Sequence, residues 1–209
     1  MRVNPVNGCR LYFELLSRSL EQVSLDEVER LADILLEAYQ TEHTVFLFGN
    51  GGSAALASHF ACDLGKGTVK GTRKRFRAIA LTDNLALMTA WANDSDFESI
   101  FSEQLENLAR AGDVAFAISG SGNSRNVLKA LKRARQSGLT TAGLTGFAGG
   151  DMRALCDACI VVPSDNMQII EDLHLAIAHA LFTSIRARIE GGPRTQSEMR
   201  LHLARRAAP

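Results

Sequence analysis

Thr44-Val-Phe-Leu-Phe-Gly-Asn-Gly-Gly-Ser-Ala54 is the stretch on which the fold turns. An apolar run, 44–48, breaks on glycines and gives way to small, helix-compatible residues. That is how a buried strand enters a turn and then a helix. The arrangement repeats outward along the chain. Apolar runs at 44–48, 76–81, 114–118, 140–144 and 159–162 alternate with helical stretches near 53–64, 85–91, 97–108, 124–136, 152–155 and a long one near 167–189. The alternation predicts an α/β fold, a five-stranded parallel sheet with helices on both faces. Ligands in such folds bind at the carboxyl ends of the strands. Upstream, Tyr12, Leu16, Leu20 and Val23, then Val28, Leu31, Leu35 and Ala38, recur at helical spacing and predict an N-terminal helical pair. Ser24 with Glu27 three residues on is a capping-box pattern.

The chain has 209 residues, 46% of them apolar and 22% charged, an ordinary globular composition with no room for a disordered or coiled-coil class. Lys plus Arg and Asp plus Glu are both 23, so the net charge is zero and a broad nucleic-acid grip is not expected. Zero net charge also removes self-repulsion and favours association. No apolar leader follows Met1 and no run is long enough to span a membrane, which predicts a cytoplasmic protein. Cys156 and Cys159 form a C-x-x-C that runs into a strand rather than opening a helix, so buried, inert thiols are expected. A single domain over 1–190 and a C-terminal tail over 191–209 are expected, because Gly191-Gly192-Pro193 ends the long helix.

Candidate chemistry gathers after the strands. Gly49-Asn-Gly-Gly-Ser53 satisfies a relaxed dinucleotide fingerprint, but the ribose-binding acid is missing at the usual distance, since Asp83 lies too far on. A dinucleotide-dependent oxidoreductase is therefore disfavoured. Ser119-Gly-Ser-Gly-Asn-Ser124 precedes another helix, and its hydroxyls and glycines suit a phosphate monoester at a helix N-terminus. His59 and Asp63 share one helix face, while Glu171, Asp172, His174 and His179 lie on the long last helix. They make a metal or acid–base site only if the two helices converge. Apolar neighbours predict that at least one of His174 and His179 is part-buried. Lys66, Lys70, Arg73, Lys74, Arg75 and Arg77 form a basic stretch, read first as solvated loop and second as a funnel for an anion.

Gly49–Ser53, His59-Phe-Ala-Cys-Asp-Leu64, Ala92-Asn-Asp94, Ile118–Ser124 and Glu171–His179 together resemble the sugar isomerase (SIS) domain family, nearest its phosphoheptose isomerase branch. The resemblance runs over about residues 10–190. It implies a three-layer αβα sandwich with a flavodoxin-like five-stranded parallel sheet, assembled as a homotetramer with the first helices between subunits. It implies isomerisation of a sugar phosphate, sedoheptulose 7-phosphate first among them. On the family's pattern, Asn50, Gly51, Gly52 and Ser53 contact the sugar, and Ser119, Gly120, Ser121 and Ser124 cradle the phosphate. Asn93 and Asp94 are further substrate contacts. His59, Asp63, Glu171 and His179 fall on the metal positions, with zinc the implied ion and another divalent ion the alternative. Asp63 and Glu171 also contact the substrate on that pattern, and Asp63 with His179 forms the acid–base pair. The chain departs from the pattern at Asp63 (usually Glu), Glu171 (usually Gln), Gly120 (usually Thr) and Gly67 (usually Arg). The alternatives are an isomerase for a different sugar phosphate, or a non-catalytic relative that binds a replication initiator protein.

Overall fold

The computed structural model describes residues 8–69 and 74–191. Lys70, Arg73 and residues 192–209 of the expected tail lie outside them. Two helices, α1 (Cys9–Glu21) and α2 (Leu25–Gln40), open the chain. Next come β1 (Thr44–Gly49), α3 (Gly52–Cys62), β2 (Arg77–Ala80), α4 (Leu85–Asp94) and α5 (Ser102–Leu108). The chain continues through β3 (Val114–Ser119), α6 (Arg125–Gln136), β4 (Thr140–Thr145), α7 (Met152–Leu155), β5 (Ala158–Val161) and α8 (Met167–Ile189). All strand pairs are parallel, in the order β2-β1-β3-β4-β5. The expected α/β sandwich and its flavodoxin-like order are both present.

Period-two alternation sorts the core into two layers. Val45, Leu47, Val114, Phe116 and Ile118 face α2, α3 and α8. Phe46, Phe48, Ala115 and Ala117 face α5 and α6. On that second face large meets small in register, Phe46 beside Ala115 and Phe48 beside Ala117, so the layer fills without crowding. Carboxylates seal the amino ends of the strands. Asp113 accepts from the backbone N–H of Thr44 and of Arg110, and Asp157 from that of Thr141.

Two local readings change. The stretch 97–108 is not one helix: a 3-10 turn at Phe97–Ser99 precedes α5, and the break buries both Ile100 and Phe101. The helix expected over 53–64 leaves α geometry after Cys62 and runs on as a π turn, Asp63–Gly67. Of the basic stretch, Lys66 and residues 74–77 are described, and they do not test the funnel reading. Lys74 pairs with Glu42 at 3.2 Å, ahead of β1, at the opposite edge of the sheet. The thiols of Cys156 and Cys159 are free and part-buried, and Cys156 follows α7 instead of opening a helix. Its hydrogen bond to Cys159, with burial, pushes the Cys156 thiol well above the usual thiol range. Ser24 does cap α2, accepting from the N–H of Glu27. Among the described residues no helix is long and apolar enough to cross a membrane.

Phe116, fully buried and edge-on to Phe60 at 5.6 Å between ring centres, joins β3 to α3. Phe116→Ala is expected to cost about 3–5 kcal/mol. Urea unfolding reads this as a lower midpoint at unchanged slope.

Candidate active site

The strand order reverses between β1 and β3, and a crevice opens beyond their carboxyl ends. Asn50 follows β1 and Asn126 lies in the first turn of α6. Their side-chain amides exchange two hydrogen bonds, both 2.8 Å, and tie the two loops together. The helices that start here keep their amino ends open. Neither Gly51, ahead of α3, nor Ser124, ahead of α6, caps its helix with a side chain. By contrast Ser24, Asn84 and Asn166 cap α2, α4 and α8. The Ser124 hydroxyl instead meets that of Ser119 at 3.2 Å. Two helix N-termini whose N-cap residues give no side-chain cap, with a row of hydroxyls around one hollow, are chemistry that can receive an anion. That hollow, about 140 Å³, is lined by Asn50, Ser119, Gly120, Ser121, Ser124 and Met167.

A larger cavity of about 390 Å³ adjoins it, with Ser53 and Glu171 lining both. Its wall carries His59 from α3 and His174 and His179 from α8. The two helices do converge. The Nε2 atoms of His59 and His179 stand 2.9 Å apart. Asp63 Oδ2 lies 3.4 Å from the first and 3.8 Å from the second. The short Asp63 side chain therefore reaches both imidazoles from the start of the π turn. Donor atoms on a tetrahedral zinc ion lie about 3.3 Å from one another. The trio is close to that spacing, and its two nitrogens and one oxygen are donors that zinc accepts, so the residues fit the ion. Glu171 stands outside this cluster. Its carboxylate lies against Gly52, where an added Cβ would sit 2.9 Å from Oε1, at the positive end of α3.

The remaining expected contacts divide. Asn93 and Asp94 lie at the exposed end of α4, bonded to each other at 2.7 Å, and line neither hollow. His179 is half exposed, whereas His174 is buried. His174 bonds through Nε2 to the Thr145 carbonyl at 3.1 Å, and its Nδ1 has no protein partner. Burial pushes this imidazole down to about 4, against the upward pull of the carbonyl. Two residues of the site went unread in the sequence, Asn126 and Met167, whereas Asp172 was among the groups read on the last helix. Asp172 lines the larger cavity and accepts the Tyr12 hydroxyl from α1. Only Asn126 left a signal, a polar residue on the apolar face of α6 beside Val127, Ala130 and Leu131.

The SIS domain family matches residues 11–146. The chain is 44% identical over 163 residues to a phosphoheptose isomerase of Bradyrhizobium sp. (strain ORS 278), covering 78% of this chain and 82% of that protein. The solved phosphoheptose isomerase of Neisseria gonorrhoeae superposes with a TM-score of 0.78 at 32% identity, over 84% of this chain and 95% of that one. That of Francisella tularensis superposes with a TM-score of 0.79 at 30% identity, over 84% and 94%.

His174 also makes stability depend on pH. Its folded pKa of about 4 lies below the ordinary 6.5, so the unfolded chain takes up the proton first. The stabilisation is fully present above pH 6.5 and is lost as pH falls toward about 4. At most it is about 3 kcal/mol. Urea unfolding at pH 7.5 and pH 5 is expected to show a smaller drop in His174→Gln than in the native chain.

Proposed function

The chain belongs to the SIS-domain family as an isomerase of the phosphoheptose isomerase kind, and we propose that His179 and Asp63 carry its proton transfers on sedoheptulose 7-phosphate, giving D-glycero-D-manno-heptose 7-phosphate. The observation that carries this reading is the meeting of His59, Asp63 and His179 beside a hydroxyl-lined anion hollow. The phosphate sits over Ser119, Ser121 and Ser124 at the α6 amino end, and Asn50 to Ser53 hold the sugar hydroxyls. The carbonyl end then extends past Glu171 toward the imidazoles.

Ketose-to-aldose conversion moves one proton between adjacent carbons and one between adjacent oxygens through an enediol. His179 takes the proton from C1 while Asp63 protonates O2. In the second half His179 delivers its proton to C2 and Asp63 removes that of O1. Bonds and protons balance, and both groups return to their starting states. The roles divide this way because a carboxylate that also ligates a cation loses basicity, which leaves the imidazole as the better base at carbon. An ion held by all three of His59, Asp63 and His179 would occupy the Nε2 lone pair that His179 needs as base, so during proton transfer His59 and Asp63 would hold the zinc ion, with Glu171 the nearest further carboxylate. Bound there, the ion supplies positive charge for the oxyanion that develops during proton removal. The intact His59–Asp63–His179 cluster weighs against a non-catalytic binding role.

The same reading extends to assembly and place. Phe13 on α1, Leu25 on α2, Leu85 on α4 and Phe97 beside it are large apolar side chains left exposed in one chain. Copies in a homotetramer cover such faces, and Asn93 and Asp94 lie on the same α4 surface. A phosphorylated sugar does not cross a bilayer unaided, so the enzyme acts in the cytoplasm.

A coupled isomerase assay across sugar phosphates tests the reaction. His179→Ala and Asp63→Asn are each expected to lower turnover about 100-fold or more. Asp63→Glu is expected to keep or raise it. Full activity in His179→Ala would remove the acid–base assignment. Dialysis against a chelator is expected to abolish activity and zinc to restore it. Activity indifferent to both would remove the metal.

A further inference from the structure

Met167 opens α8 and has no part in the acid–base chemistry, yet it lines the anion hollow beside Ser119, Ser121 and Ser124. Its sulfur occupies a notch that exists only because residue 120 is glycine. A Cβ built on Gly120 would lie 2.5 Å from the Met167 Sδ and 3.3 Å from its Cε. No real Cβ tolerates the first distance, and a thioether is shaped to fill such a gap. Gly120 is not in the left-handed region, so conformational freedom does not account for the glycine there. Space does. Glu171, one turn further along α8, lines both hollows, and His179 lies beyond it on the same helix.

We propose that Met167 is a substrate-fitting residue: seated in the Gly120 notch, it forms the apolar wall of the phosphate hollow and sets how closely α8 approaches the bound anion. The inference rests on the sugar-phosphate reading of that hollow. A hydroxyl-bearing side chain at 120 would offer the anion another donor. Here a thioether stands in that volume, so Ser119, Ser121, Ser124 and the open α6 end hold the phosphate while Met167 limits its position. Gly120 and Met167 therefore form one unit, and a change in either is felt through the other.

The test is a double-mutant cycle on the full chain, read as KM and kcat for sedoheptulose 7-phosphate and as thermal stabilisation by inorganic phosphate. Gly120→Ala is expected to raise KM about tenfold by displacing the thioether, and Met167→Ala several-fold by opening the wall. The effect falls more on KM than on kcat. The double variant is expected to bind better than Gly120→Ala alone, because the new methyl then enters vacated space. Additive effects of the two substitutions would overturn the proposal. Should Gly120→Ala not fold, Met167→Leu against Met167→Ala decides. A near-native KM for Leu and a raised one for Ala support it, and equal values for the two overturn it. A native chain that neither turns over sugar phosphates nor is stabilised by phosphate would overturn the reading of the site itself. Phosphate stabilisation with additive variants leaves that reading standing and removes only the role of Met167.

Discussion

The close seating of α8 across the carboxyl ends of the strands is the constraint on which the rest depends. Four glycines make it possible. A Cβ at Gly52 would strike Glu171, at Gly120 Met167, at Gly146 Ile170 and at Gly67 Phe182. Each partner is on α8, and the glycines lie on four separate segments. At Gly67, where the family usually has arginine, the Phe182 ring would lie 2.6 Å from an added Cβ. The absent arginine and the glycine at 120 thus have the same physical cause, bulky α8 side chains received by bare backbone. Bare backbone lets these side chains sit close without strain.

That seating matters because the two halves of the chemistry come from different parts of the sheet. The hydroxyl-lined hollow is built at the switch point from the loops after β1 and β3, beside the amino ends of α3 and α6. The His59–Asp63–His179 cluster comes from α3, the π turn and α8. A π turn adds a residue to one turn of helix and redirects the chain beyond it, a distortion that recurs at functional sites. Here it begins on Asp63, the carboxylate that must reach two imidazoles on two helices.

Strand positions were legible because parallel strands buried on both faces are short continuous apolar runs, and 44–48 and 114–118 fall inside β1 and β3. The glycine and serine loops were legible because helix amino ends have recognisable chemistry. His59, Asp63 and His179 were named from pattern, but their convergence depends on how two helices cross, which no local spacing encodes. Burial of the histidines was half legible. Apolar neighbours flank both His174 and His179, and only the helix face decides that the first is buried and the second half open. Met167 gave no signal, since a methionine opening a long apolar helix reads as core.

The amide pair between the two loops has a consequence for orientation. A reciprocal Asn–Asn pair taken alone is symmetric: turning both amides together preserves both bonds, and turning one breaks both. The backbone N–H of Val127 removes the symmetry, because it donates to Asn126 Oδ1 at 2.9 Å. That atom must be the oxygen, so Asn126 presents its nitrogen to Asn50 Oδ1, and the Asn50 amide has one permitted orientation. A single peptide group in α6 therefore fixes which way the Asn50 amide faces at the mouth of the hollow.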